Sequence, residues 1–218
     1  MTDPTVSQES DAERESYWNA YYASTRTARR PLPSQFATFV AGELDTATRI
    51  IEFGSGAGRD SLFFSSHGHD VTGVDGSKAA VDAASALAAE LGERATFVAA
   101  TIDQPDLASQ LRVDPGNTLV YARFFVHAIT DEEETAFLDL AARLTSPGDR
   151  LAVEYRTVRD SSGAKVTGAH YRRFVSPTSF NAKAVLHGFE VTYAVEGFGF
   201  AKYKQDDAYV ARALFVRH

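Results

Sequence analysis

"IEFGSGAGRDS", Ile51–Ser61, sets three glycines in five positions directly behind an apolar run. Glycine adopts backbone conformations closed to other residues, and its missing side chain lets a ligand lie against the main chain. The preceding "RIIEF" reads as a short buried strand and the following "RDSLFFSSH" as a helix. A strand, a bare turn and a helix N-terminus together make a nucleotide-binding geometry.

The spacing narrows the ligand. A dinucleotide fingerprint, G-x-G-x-x-G, would need its third glycine at position 59, but that position is Arg59 and Gly58 comes one residue early. Glu52, just before Gly54, would repel a pyrophosphate. Asp75 ends the next strand, "DVTGVD", about 20 residues beyond the glycines, where a carboxylate accepts from a ribose diol. These residues describe a ligand with a ribose and positive charge, and no phosphate.

Outward from this unit, strands and helices alternate. "ATFVAA", "NTLVYAR" and "DRLAVEYR" read as strands, and "SKAAVDAASALAAELG", "PDLASQLR" and "DEEETAFLDLAARL" as helices, the last capped by Asp131. Connections this short imply a parallel sheet with right-handed crossovers. After the helix "PTSFNAKAVLHG", the segments "FEVTYAVEGFGFAKY" and "DAYVARALFVRH" suggest an antiparallel pair turning near "KQDD". At the other end, "ERESYWNAYYAS" places Tyr17, Trp18, Tyr21 and Tyr22 at helical spacing, and Ser34 can cap "SQFATFVAGEL".

Composition removes several classes. A formal charge of −7 argues against a nucleic-acid partner, and no apolar run approaches the roughly 18 residues of a membrane span. The polar, acidic first residues do not resemble a signal peptide, so a cytoplasmic location is the simplest expectation. With no cysteine, disulfides, thiolate metal sites and a cysteine nucleophile are excluded. His67 and His69 lack a partnering carboxylate, and no metal is expected.

"IEFGSGAG", "VTGVDGS", "TLVYARFFVHAI" and "LTSPGDRLAVEYR", in that order, resemble the class I S-adenosylmethionine-dependent methyltransferases. The resemblance implies a Rossmann-like α/β fold: a mostly parallel seven-stranded sheet with an antiparallel last strand and helices on both faces. It also implies S-adenosylmethionine as cofactor and a division of the chain into four parts. Residues 1–45 would be a helical cover, 46–158 the cofactor-binding core, 159–175 a substrate-side insertion and 176–218 a helix with closing strands.

The resemblance also assigns roles. Gly54, Ser55, Gly56 and Gly58 would line the methionine and ribose, with Glu52 near the methionine amino group and Asp75 and Gly76 at the ribose. Ile102 and Asp103 would meet the adenine, Ala122 and Arg123 the methionine end, and Tyr17, Trp18 and Tyr21 would close over the cofactor. His127 and Arg123 are the candidate catalytic residues. Arginines cluster around Arg26 and between Arg156 and Arg173, which suggests a small acceptor carrying a carboxylate or phosphate. Tyr22, Arg26, Arg156, His170, Arg172 and Arg173 are its candidate ligands, one of the last two meeting Arg123 across the methyl. A non-catalytic cofactor-binding subunit and a NAD-dependent oxidoreductase remain alternatives, and the oligomeric state stays open.

Overall fold

The computed structural model describes residues 11–24, 31–111, 117–160, 173–203 and 206–218. Arg26, His170 and Arg172, and the side chain of Tyr22, lie outside them.

Seven strands form one sheet in the order β3-β2-β1-β4-β5-β7-β6. They are β1 (Arg49–Phe53), β2 (Asp70–Asp75), β3 (Thr96–Ala99), β4 (Thr118–Arg123), β5 (Arg150–Arg156), β6 (Phe189–Gly197) and β7 (Val210–Arg217). The first five pair in parallel, while β7 runs antiparallel to both β5 and β6. β6 therefore runs with the parallel set, and β7 alone is reversed. The order changes direction between β1 and β4, the switch point where open α/β sheets bind ligands.

Strand alternation sorts the core into two layers. Ile51 and Phe53 of β1, Val120 and Ala122 of β4, and Leu151, Val153 and Tyr155 of β5 face one side. There they meet α5 (Leu107–Leu111), α6 (Asp131–Leu144) and α7 (Pro177–Leu186) through Leu107, Phe137 and Phe180. Ile50, Leu119, Tyr121 and Ala152 face the other side, against α2 (Gln35–Ala41), α3 (Arg59–Ser66) and α4 (Lys78–Leu91). Each large side chain so buried contributes about 1.5–3 kcal/mol.

Ser34 caps α2 as expected, accepting from the Ala37 amide. The cap of α6 is Thr130, one residue before Asp131: its hydroxyl accepts from Glu133 N while the Glu133 carboxylate accepts from Thr130 N. Thr130 has the extended backbone that a cap requires, so Asp131 opens the helix and stabilises its dipole.

The first helix, α1 (Asp11–Ser24), is fastened at two points. Arg14 forks onto Glu133 at 2.8 and 2.9 Å and reaches Ala128 O at 3.3 Å, beside the start of α6. Asn19 accepts from Ser77 Oγ at 2.7 Å and Ala79 N at 3.3 Å, at the start of α4. Since β1 lies between β2 and β4, α1 spans the carboxyl end of β1. Burial raises the Glu133 carboxyl, but the bonds from Arg14 and Thr130 outweigh it and hold it below its ordinary value. The fork is thus fully present above the ordinary carboxylate range and lost as pH falls through the lowered value. Arg14→Ala should speed hydrogen exchange of α1 amides about fivefold, equivalent to about 1 kcal/mol for a partly exposed pair. Unchanged exchange would show that Arg14 does not hold α1.

Candidate active site

The turn after β1 is built from left-handed glycines, with φ of +70° at Gly54, +53° at Gly56 and +78° at Gly58. Gly54 N and Ser55 N both donate to Val74 O, at 2.9 and 3.2 Å, which ties the turn to β2. Gly58 is the N-cap of α3 and supplies no side-chain cap. The Ser55 hydroxyl is buried without a hydrogen-bond partner, an unsatisfied group inside the turn.

Asp75 joins the two motifs that sequence spacing separated. One carboxylate oxygen accepts from Gly56 N and the other from Ser77 N, each at 2.8 Å. Burial pushes this carboxyl above its ordinary value, and the two amide bonds oppose that rise. Gly76 beside it has room on its open side, the nearest atom to an added Cβ being Thr101 Cγ2 at 3.8 Å. Ile102, 8% exposed, follows β3 in the same region, with Asp103 exposed next to it.

Glu52 sits beneath the turn. In register it lies between Gly73 of β2 and Tyr121 of β4, and its carboxylate accepts from Ser61 Oγ of α3. Asp60, also buried, accepts from Ser34 N at 2.8 Å, from the Ser34 hydroxyl at 2.6 Å and from the Tyr121 hydroxyl at 2.9 Å. Burial, then the Asp60 charge, raises the Glu52 carboxyl well above its ordinary value, against the Ser61 bond and Arg59 and Arg123. Burial and the two carboxylates likewise raise the Tyr121 phenol.

On the acceptor side the candidate cations face protein carboxylates. Arg123 donates through Nε to Glu154 at 2.8 Å, and Arg212 donates to the other oxygen of Glu154 at 2.7 Å. Arg156 is buried between Asp160, at 2.7 Å, and Asp206. Arg173 turns away from Arg123: it binds Glu134 and Asp131 at the start of α6 and the carbonyls of Val126 and Ile129. Of the two arginines of which one was expected to meet Arg123 across the methyl, Arg173 does not, because the buried Glu134 carboxylate holds it on the α6 side, and Arg172 lies outside the described residues. Ala122 is fully buried in the α5–α7 layer, so only its backbone is offered to the site.

His127 is also placed differently from a catalytic base. It is 5% exposed, and its Nδ1 accepts from the Arg156 amide at 3.1 Å. That bond takes the one lone pair of a neutral imidazole and sets its proton on Nε2. The side chain anchors the end of β5, and its carbonyl accepts from Arg173 N at 2.8 Å.

Sequence reasoning missed Phe124. It follows β4 with φ of +58°, a conformation bulky residues rarely adopt and one that concentrates at functional sites. Its ring lies 4.2 Å from the Arg123 guanidinium and 5.5 Å from that of Arg156, with the His127 ring edge-on at 5.2 Å. Tyr17, Trp18 and Tyr21 stack edge-on along α1, with centroids 5.1 and 5.8 Å apart.

Residues 50–148 match the family described as methyltransferase domain. No curated protein sequence matches the chain. The fold is shared with the CcbJ methyltransferase from Streptomyces caelestis, at 18% identity and a TM-score of 0.69 over 91% of this chain and 95% of that one. Magnesium protoporphyrin IX methyltransferase from Synechocystis, with bound S-adenosylmethionine, superposes at 15% identity and 0.61, over 100% and 86% of the two chains. The cyclase SpnF superposes at 17% identity and 0.68, over 100% and 98%. With its glycine turn at the switch point of the sheet, the chain has the Rossmann-like fold of these methyltransferases, and residues 50–148 are similar to the methyltransferase-domain family.

Proposed function

We propose that this protein transfers the methyl group of S-adenosylmethionine to an oxygen or nitrogen of a small molecule. The observation that carries this reading is the Asp75 carboxylate, bound to the Gly56 amide at the edge of a turn of left-handed glycines. Asp75 would hold the ribose hydroxyls, and the unsatisfied Ser55 hydroxyl and the turn amides would lie along the methionine and ribose. Glu52 would act from beneath the turn, near the methionine amino group. Asp103 would accept from the adenine amino group with Ile102 against the ring, and Tyr17, Trp18 and Tyr21 would cover them.

Bound S-adenosylmethionine would supply an already electrophilic methyl group. The chain's task is then to exclude water and hold the acceptor atom about 3 Å from the methyl carbon, in line with the leaving sulfur. With its Nδ1 lone pair engaged, His127 is not placed as a general base, and positioning would carry the rate. The described arginines add no support for an anionic acceptor, since Arg123, Arg156 and Arg173 each face a protein carboxylate. That preference would rest on Arg26 and Arg172.

A second reading, chemistry other than methyl transfer on the same cofactor fold, draws on the engaged His127 and on the SpnF neighbour described as a cyclase. Two measurements separate these possibilities. Asp75→Ala should weaken S-adenosylmethionine binding by about 1.5–3 kcal/mol in calorimetry, the scale for losing a charged hydrogen-bond acceptor. Unchanged affinity would reduce Asp75 to a turn brace. Release of S-adenosylhomocysteine only when an acceptor is present would decide for methyl transfer.

A further inference from the structure

The roles above leave unused the loop between β6 and β7. Because β6 runs with the parallel strands, it ends at Gly197 on the same edge of the sheet as β1 and β4. The loop begins with Phe198, 63% exposed and packed edge-on against Tyr209 at 4.8 Å, and it carries Tyr203, 59% exposed. Two large rings in solvent would ordinarily be an aggregation liability; on a ligand-binding edge they mark a contact surface.

Described residues on both sides of 204–205 in this loop are anchored. Asp206 binds the buried Arg156, Asp160 takes the Tyr209 amide at 2.8 Å, Asp207 takes the Gly199 amide at 2.7 Å, and Arg212 donates to Phe200 O at 2.7 Å. Buried ion pairs contribute little net stability but fix geometry well. Here the Arg156–Asp206 pair and the backbone bonds tie described loop residues to the sheet, while Phe198 and Tyr203 remain exposed. Inward, Phe200 packs with Ala201, Ala208 and Val210 against Phe124, at the tip of β4. Phe124 and Phe200, each partly exposed, thus join the β4 tip to the loop over the buried Ala201, Ala208 and Val210. The cations flanking it are neutralised: Arg123 and Arg212 by Glu154, Arg156 by Asp160 and Asp206, and Arg159 by Glu196 at 3.0 Å.

We propose that Phe198 and Tyr203 form the acceptor-side wall of the site and that the acceptor is a small molecule bearing an uncharged aromatic ring. This rests on the methyltransferase reading and deepens it. Rings of this kind recognise flat aromatic groups through offset and edge contacts, with little demand for charge.

The test uses the full chain saturated with S-adenosylhomocysteine, with 2-naphthol as probe and 2-naphthyl phosphate as its anionic counterpart, by calorimetry. The wild type should bind 2-naphthol, and the phosphate no more tightly. The Phe198→Ala, Tyr203→Ala double variant should raise the 2-naphthol Kd at least tenfold, with S-adenosylhomocysteine affinity and melting temperature unchanged. Both side chains are exposed, so the variant should fold. The proposal is overturned if 2-naphthol does not bind, if the double variant binds it equally, or if the phosphate binds tenfold tighter. Failure of S-adenosylhomocysteine itself to bind would overturn the parent reading, and the acceptor wall with it.

Discussion

Glu154→Ala should destabilise the protein by about 3–5 kcal/mol, the scale for removing one partner from a buried ion pair, and leave little folded chain. Glu154 is 0% exposed, and its two oxygens accept from Arg123 and Arg212 at 2.8 and 2.7 Å. The three residues sit side by side across the sheet, Arg123 on β4 in register with Glu154 on β5, and Glu154 with Arg212 on β7. Burial holds the Glu154 carboxyl above its ordinary value, against the pull of the Arg123 and Arg212 guanidiniums.

Removing the carboxylate leaves two like charges facing each other, with Arg212 itself 6% exposed. Glu154→Gln, which keeps the shape and one acceptor oxygen, should lose less than the alanine variant. Denaturant melts of the two variants and the wild type measure this directly. A loss below about 1 kcal/mol in the alanine variant would show that the cations find water or another partner, and that the triad is not a structural unit.

The glycine turn was legible because it is local. Three glycines at fixed spacing, a strand before and a helix after are all read within a few residues, and the left-handed φ values follow from that pattern. The strands and the reversed β7 were legible for the same reason, through apolar runs and a late hairpin. The cap of α6 was equally local: Thr130 and Glu133 stand in capping-box spacing, a signal outweighed by the more conspicuous acidic run that follows.

The acceptor side was not legible, because its side chains choose partners far along the chain. Arg123 and Glu154 are 31 residues apart, Glu154 and Arg212 58, and Arg156 and Asp206 50. Read as a local excess of positive charge, the arginines suggested an anionic ligand; folded, each described member of the set has a carboxylate brought by another element. One clue was available. Glu154 lies in the apolar strand "RLAVEYR", and an acid buried there demands a cation from a neighbouring strand. Phe124 gave no such clue, since its left-handed backbone depends on the amide bond to Glu154 O and on the rings around it.

Gly54→Val should cost about 2–6 kcal/mol and raise the Kd for S-adenosylmethionine more than a hundredfold. Two penalties add. A β-branched residue at φ +70° carries backbone strain on the order of 1–3 kcal/mol. The new Cβ would also lie 2.9 Å from Phe125 Cδ2 and 3.1 Å from its Cβ, and overpacking typically costs about 1–3 kcal/mol. Phe125 has little freedom to yield, being packed against Phe53 at 6.1 Å and Phe137 at 5.5 Å. The strain is then relieved by moving the turn, which breaks the Gly54–Val74 bond and draws Gly56 away from Asp75. The expected binding loss follows from that displacement. Gly92→Val is the control that separates the two penalties: Gly92 has φ +68°, caps α4 away from the turn, and has open space around an added Cβ. It should show the backbone strain alone, with cofactor affinity intact. If Gly54→Val proves no more destabilising than Gly92→Val and binds the cofactor normally, the close approach of Phe125 is not what reserves position 54 for glycine.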